Sequence, residues 1–98
     1  MKTTFTARHF EPSAQLQTHC EESAKKLLNF FDRIISCDIV LEPTPSDKTP
    51  QKVEIILKVP RKTLKVSEAS LTYEQAIHDA VANLSRQLKR YKQKMTTH

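Results

Sequence analysis

The side chains of this chain that most clearly indicate a binding function are cations concentrated near its C-terminal end. Asp79 is the last acidic residue, and residues 1–79 hold equal numbers of acidic and basic side chains. The formal net charge of +5 therefore lies in residues 80–98. The cations of that segment are Arg86, Lys89, Arg90, Lys92 and Lys94. Cations gathered in this way favour binding to a polyanion such as nucleic acid.

These cations share a predicted helix with an apolar stripe. At 100° per residue, one narrow stripe collects Ile77, Val81, Leu84, Leu88, Tyr91 and Met95. Arg86, Lys89 and Arg90 point away from that stripe. Lys92 and Lys94 flank it. A helix docked by the stripe would present its cations outward as a continuous surface, which we call the basic ridge.

Electrostatic cost favours a binding role for the basic ridge. The helix macrodipole favours cations only in the last turn, which accounts for Lys92 and Lys94 but not for Arg86. Arg86 and Arg90 are a like-charge pair four residues apart, as are Arg90 and Lys94, each costing about 0.2–0.5 kcal/mol. A surface that loses stability to concentrate one sign of charge is more typical of a binding site than of a merely solvated face.

The first predicted helix shows the opposite pattern. Two carboxylates there precede lysines by four residues, in the pairs Glu21–Lys25 and Glu22–Lys26. We expect these pairs to be favourable. Lys25 and Lys26 also point away from the apolar stripe of their helix, so they could extend the basic ridge across the groove between the helices.

The residues that enzymes use are poorly arranged. Glycine is absent, which removes glycine-rich phosphate loops. No histidine has zinc-ligand spacing with a cysteine, and the dispersed histidines are His9, His19, His78 and His98. Cys20 and Cys37 fall on apolar faces and are expected to be buried free thiols. We therefore expect no enzyme activity, cofactor, metal or small-molecule substrate.

Length and composition predict one domain. The 98 residues contain no apolar run able to cross a membrane, and the N-terminus lacks an apolar signal core. We expect a cytoplasmic protein that is monomeric when free, with a domain over residues 1–95 and a short disordered tail over 96–98.

Periodicity predicts two helices and four strands. Residues 2–8 alternate as a short strand. The helix that follows is capped either by Glu11, with Pro12 at the first helical position, or by Ser13, which we favour, and it runs to about Phe31. In a second strand, alternate side chains point inward, which are Ile35, Cys37, Ile39 and Leu41. A proline-containing loop over 42–51 leads to a third strand with its apolar side chains inward, which are Val53, Ile55, Leu57 and Val59.

The fourth strand and the second helix carry further signals. Glu68 interrupts the alternation of Leu64 and Val66, so we expect the strand to end or bulge there. Thr72 and Gln75 form a predicted capping box, and Leu71 with Ala76 is placed to staple the helix entry.

The element order β-α-β-β-β-α restricts the topology. The first β-α-β unit should be a right-handed crossover with parallel strands. Short connections make the remaining strands antiparallel. We therefore predict an α+β domain with a four-stranded mixed sheet and both helices packed on one face. The other face is expected to be mixed and solvated, with Val40 and Ile56 exposed.

Two segments resemble the bacterial ribosome hibernation factors, the family of hibernation promoting factor and ribosome-associated inhibitor A, also called sigma-factor modulation proteins. Residues 26–34 read KLLNFFDRI, similar to the family's KL…YFDRI segment. Residues 84–92 read LSRQLKRYK, similar to its L.RQL.K.K segment. The start of the second predicted helix departs from the segment DMYAAID that is usual in the family. Since the chain ends soon after helix 2 and has no acidic extension, the resemblance is to the short form, and it favours the subtype associated with ribosome pairing.

The resemblance implies a translation inhibitor that binds the small ribosomal subunit where messenger RNA and tRNA meet, silencing or pairing ribosomes during stress or stationary phase. It implies rRNA as the contacted molecule and a ribosome modulation factor as a further candidate partner. Carried over by position, with Lys94 added by its charge, the RNA-binding residues are Lys25, Lys26, Arg86, Lys89, Arg90, Lys92 and Lys94.

Two alternatives remain open. A double-stranded RNA-binding domain has a similar element order, but it concentrates cations at the start of its second helix, where this chain has Glu74. A protein-interaction module that modulates a sigma factor could use the open face of the sheet. Tyr73 and Tyr91 are candidate RNA-stacking groups, although Tyr91 lies on the apolar stripe and is better explained by core packing.

Overall fold

A computed structural model describes residues 1–96 and shows the expected element order. The strands are β1 (Lys2–Ala7), β2 (Ser36–Pro43), β3 (Gln51–Val59) and β4 (Lys62–Ser70). The helices are α1 (Ala14–Leu27) and α2 (Tyr73–Thr96). The expected tail over 96–98 falls largely outside the described residues, and only Thr96, at the end of α2, belongs to them.

The strands form one sheet in the order β1-β2-β3-β4. β1 is parallel to β2, whereas β2, β3 and β4 are successively antiparallel. A parallel neighbour requires a crossover connection, which α1 supplies, while the hairpin after Val59 needs only a tight turn. This topology confirms the predicted α+β fold.

Both helices cover one face of the sheet. α1 packs beside β1, α2 lies across β3 and β4, and the helices contact each other. The inward side chains of β3 alternate as predicted and are almost fully buried. On α2 the side chains of Ile77, Leu84 and Leu88 are fully buried, and Val81 and Met95 pack partly buried at the edge of the core. The predicted stripe of α2 is therefore the surface by which this helix docks.

Side-chain caps fix both helix starts. The Ser13 hydroxyl accepts a hydrogen bond of 3.0 Å from the Leu16 amide, which confirms the predicted cap. The Thr72 hydroxyl accepts one of 3.1 Å from the Gln75 amide. Gln75 does not complete the capping box, because its side chain donates to Asp79 instead. The expected staple was wrong, since Leu71 is 69% exposed.

The end of α1 differs from the prediction. The helix stops at Leu27 rather than near Phe31. The amides of Leu28, Asn29 and Phe30 donate to carbonyls three residues earlier, so the chain tightens into a 3₁₀-like turn. This turn buries Phe31 and Ile34 and leaves Ile35 exposed, contrary to its predicted inward position.

β4 continues past Glu68 without a break. Val53 of β3 pairs with Glu68, and pairing continues to Ser70, so the expected end or bulge was wrong. The Asn83 amide of α2 approaches the Glu68 carboxylate at 3.5 Å. A polar partner on the covering helix lets this carboxylate occupy an inward strand position.

Cys20 and Cys37 are free and buried, as predicted. Burial raises the pKa of each thiol from 9.0 to about 12, with smaller contributions from Glu74 near Cys20 and Asp38 near Cys37. A thiolate is the reactive form of cysteine, so both groups are inert in the folded protein.

We expect thiol labelling to require unfolding. An exposed cysteine reacts faster as pH rises from 7 to 9, because its thiolate fraction grows. Here the raised pKa keeps both thiols protonated across that range, so native labelling by an aromatic disulfide reagent should stay slow at pH 9. Labelling in denaturant should be complete. Fast stoichiometric reaction of the native protein would contradict the burial of these residues.

Candidate nucleic-acid interface

The cations of the basic ridge are all exposed on α2. The orientation of the helix follows from its two polar flanks. Asn83 and Gln87 reach toward β4, where Gln87 donates to the Lys65 carbonyl at 3.5 Å. His78 and Ser85, on the opposite flank, line the groove toward α1. The surface that remains for solvent carries Arg86 and Lys89.

Three cations of the ridge are not neutralised by carboxylates. Two ion pairs within residues 1–96 join Arg8 to Glu42 and Lys65 to Glu54, each at 3.7 Å. Neither pair involves α2. Over that same range Arg86, Lys89 and Arg90 have no carboxylate partner. Their positive charges are therefore available to an external anion.

The remaining ridge cations turn toward the two sides of α2. Arg90 and Lys94 line a shallow pocket with Lys62 of β4. Lys92 lines a groove with residues 28–33, which follow α1. The positive surface thus surrounds the C-terminal half of α2 and reaches both neighbouring elements.

Lys25 and Lys26 have a partly structural explanation. Because α1 ends at Leu27, both lysines lie in its last turn, where the macrodipole favours cations by about 0.3–1 kcal/mol each. The expected pairs with Glu21 and Glu22 do not close to ion-pair distance in the described part of the chain. Both lysines are exposed, so they are accessible to an anion as well.

A surface groove of about 240 Å³ lies along the boundary between the two helices. Its walls include Lys26 and His19 from α1 and His78 from α2. The Nε2 atom of His19 is buried and lacks a hydrogen-bond partner among residues 1–96. The structure thus brings Lys26 to the boundary with α2, while Lys25 lies on the outer side of α1.

Sequence reasoning missed three cations that lie near the predicted Lys94. Arg33, Arg61 and Lys62 line a pocket with Lys94, of about 520 Å³, at the C-terminal end of α2. The four cations come from three parts of the chain, so neither periodicity nor charge density marks them as neighbours. The one signal in the sequence is the short Pro60-Arg61-Lys62 connection, which places two cations together in a turn. In the structure Arg61 has a φ of 67° there.

Aromatic side chains brace this pocket. The Tyr91 hydroxyl donates a 2.6 Å hydrogen bond to the Pro60 carbonyl, which ties α2 to the β3–β4 hairpin. The Phe31 ring meets the Tyr91 ring edge to face at 5.3 Å between centroids. The Arg33 guanidinium lies 5.5 Å from the Phe31 centroid, within range of a cation–π interaction.

Both tyrosines are buried, which excludes them as exposed stacking platforms. Tyr91 is 8% exposed and Tyr73 is 6% exposed. Tyr73 stacks on Phe10 with ring centroids 4.8 Å apart. Burial, with a smaller contribution from Glu42, raises the pKa of Tyr73. The core role favoured for Tyr91 is confirmed.

Residues 1–96 contain no group of three or more His, Cys, Asp or Glu side chains placed to hold a metal ion. No helix in the described part of the chain is long and apolar enough to cross a membrane. His98 lies outside the described residues.

Comparison with known proteins identifies relatives of this architecture. The family model of the sigma 54 modulation protein / S30EA ribosomal protein matches residues 3–96. The N-terminal domain of Protein Y from Thermus thermophilus is 23% identical with a TM-score of 0.80, covering 93% of this chain and 99% of that one. A ribosomal subunit interface protein from Coxiella burnetii is 20% identical with a TM-score of 0.85, covering 94% and 98%. At these identities the structural likeness shows a shared fold. No curated protein matches significantly.

The Tyr91 hydroxyl should contribute measurably to stability. Tyr91→Phe leaves the Pro60 carbonyl without its partner, and we expect a loss of about 1 kcal/mol in the free energy of unfolding. Tyr73→Phe is the matched control, because the Tyr73 hydroxyl forms no hydrogen bond within residues 1–96. Urea unfolding of both variants tests this difference. Equal stability of the two variants would show that the hydrogen bond from Tyr91 to Pro60 does not contribute to the free energy of unfolding.

Proposed function

The chain belongs to the sigma 54 modulation protein / S30EA ribosomal protein family, and from that premise we propose that it is a ribosome-binding translation inhibitor. Its basic ridge contacts rRNA of the small subunit. Bound there, the domain occupies the channel that messenger RNA and tRNA share. It silences or pairs ribosomes under stress or in stationary phase.

One observation carries the proposal: Arg86, Lys89 and Arg90 project from α2 without a carboxylate partner in the described chain. A protein surface normally intersperses both signs of charge. Here like charges are repeated along one helix, and an RNA backbone would relieve their repulsion. The Coxiella burnetii protein of the same fold is a ribosomal subunit interface protein, which agrees with a ribosomal partner.

The shape of the ridge suits RNA phosphates. Successive turns of a helix are 5.4 Å apart, so Arg86 and Arg90 can reach neighbouring phosphates of one strand. Guanidinium groups bind phosphate through two parallel hydrogen bonds, which ammonium groups cannot do. Lys92 and Lys94 carry the positive surface around the helix end, and Lys25 and Lys26 extend it over α1.

Inhibition in this proposal is steric. The domain measures 46 × 24 × 18 Å, and a body of that size excludes template and tRNA from the space it fills. No bond is made or broken, so the protein acts by binding and not as an enzyme. A ribosome modulation factor remains a candidate partner for the pairing of ribosomes.

The family description also keeps sigma-factor modulation as a second candidate. The surface proposed for it was the open face of the sheet. Val40 and Ile56 were expected to be exposed there, but both are half-buried. The ion pairs Arg8–Glu42 and Lys65–Glu54 involve outward residues of the same face. A face of this composition offers little apolar area to a protein partner.

Removing the two arginines should weaken ribosome binding. We expect Arg86→Ala with Arg90→Ala to reduce co-sedimentation affinity by about tenfold or more, because each charge-assisted phosphate contact contributes roughly 1.5–3 kcal/mol. The paired substitution Arg86→Lys with Arg90→Lys should give a smaller loss, since charge remains but bidentate geometry does not.

The control removes equal charge from elsewhere. Lys48 lies in the loop before β3, Lys58 is on the outward side of β3, and both are exposed. Lys48→Ala with Lys58→Ala should bind ribosomes nearly as the unmodified protein does. If the control and the double-arginine variant weaken equally, net charge and not the ridge would explain binding.

Salt dependence gives a second, independent test. Each phosphate neutralised by the protein contributes about 0.7–0.9 to the slope of log affinity against log salt. The double-arginine variant should therefore have a shallower slope than the control variant, measured by co-sedimentation between low and physiological salt. Identical slopes in the two variants would mean that Arg86 and Arg90 do not touch phosphates.

A further inference from the structure

We propose that the pocket lined by Arg33, Arg61, Lys62 and Lys94 binds a phosphorylated nucleoside. We call it the hairpin pocket, because the β3–β4 hairpin forms one of its walls. The nucleotide is either one unit of an RNA strand or a free molecule. In its RNA form the proposal rests on the proposed function and adds a specific subsite to it.

The charge of the hairpin pocket favours a phosphate. Its lining includes cations from the hairpin, from α2 and from the segment after α1, but no carboxylate. Asp32, the nearest acidic residue in sequence, lines the neighbouring groove instead. Convergence of cations from separate elements raises the local positive potential beyond what one helix provides. Lys94 also offsets the macrodipole at the end of α2, so Arg33, Arg61 and Lys62 carry most of the attraction.

The uncharged part of the lining suits a base or sugar. Pro60, Tyr91 and Met95 supply apolar surface beside the cations. A volume of about 520 Å³ lies within the range of roughly 300–1,000 Å³ that is typical of small-ligand pockets. Proteins commonly recognise single-stranded RNA by placing a splayed-out base against such side chains while cations hold the backbone.

The pocket is held in shape before any ligand arrives. The Tyr91 hydroxyl fixes the hairpin to α2 through the Pro60 carbonyl at 2.6 Å. The Phe31 ring connects Tyr91 with the guanidinium of Arg33. A pocket whose walls are already joined loses less conformational entropy on binding.

The pocket also continues the basic ridge. Lys94 belongs to both, and Arg90 and Lys94 line the adjoining shallow pocket with Lys62. An RNA strand that follows α2 toward its C-terminal end would therefore arrive at the hairpin. Its next nucleotide would meet Arg61 and Lys62 without leaving positively charged surface.

The test uses isotope-labelled protein of residues 1–98, titrated by NMR with adenosine monophosphate and, separately, with a single-stranded oligoadenylate. We expect the amide signals of Arg33, Arg61, Lys62 and Met95 to shift. Shifts with both probes, or with the oligomer alone, support the pocket with RNA as the ligand. Shifts with the mononucleotide alone support it with a free nucleotide as the ligand. Absence of shifts at these residues with both probes would overturn the proposal.

Variants establish which cations bind. Arg61→Asn with Lys62→Ala should weaken affinity for the responding probe by about tenfold or more. Asparagine is chosen because it tolerates the positive φ of Arg61. Lys48→Ala with Lys58→Ala removes equal charge outside the pocket and should leave affinity nearly unchanged. Equal weakening in both variants would refute a localised site.

The mononucleotide titration needs no ribosome, so its outcome is independent of the proposed function. Protein that binds the mononucleotide in the pocket but fails to co-sediment with ribosomes would refute the proposed function and leave the pocket intact. Protein that binds ribosomes while neither probe shifts the pocket signals would refute the pocket and leave the proposed function intact.

Discussion

Burial of the apolar stripe of α2 against β3 and β4 is the constraint on which the charged surface depends. Ile77, Leu84 and Leu88 are fully buried there, and each such side chain stabilises the fold by about 1.5–3 kcal/mol. Repulsion between successive cations costs only about 0.2–0.5 kcal/mol per pair. Rotation of α2 by one residue would expose these apolar side chains and would leave the spacing between its cations unchanged. Core packing therefore sets the outward direction of the ridge.

This constraint also explains which features could be predicted from sequence. The stripe of α2, the alternation of β3 and the Ser13 cap each depend on residues close together in the chain. Their patterns gave the element order, the topology and the orientation of Arg86 and Arg90. The errors include one residue with a distant partner and one local pattern that did not form. Glu68 stays inside a strand because Asn83 lies above it, and Leu71 remains exposed although its local pattern predicts a staple.

The hairpin pocket was missed for the same physical reason. Arg33 follows a 3₁₀-like turn, Arg61 occupies a hairpin, and Lys94 ends a helix, so no sequence window contains all three. Their convergence depends on the Tyr91 hydrogen bond and the Phe31 contacts, which are tertiary. Charge counting places residues 1–79 at zero net charge, yet Arg33, Arg61 and Lys62 belong to that segment. A segment with no net charge can therefore still place several cations together on the surface.

The two positive regions have different physical characters, which bears on the proposed binding to RNA. The ridge is convex and its cations are long, exposed side chains, which suits contact with several phosphates but discriminates poorly between them. The hairpin pocket is concave, braced by aromatic rings and partly apolar, which suits one nucleotide in a defined orientation. In the proposed complex, affinity for RNA would come chiefly from the ridge. The pocket would fix the position of the domain along the RNA. Because Tyr91 is both a member of the buried stripe and the brace of the pocket, the packing that aims the ridge also assembles the second site.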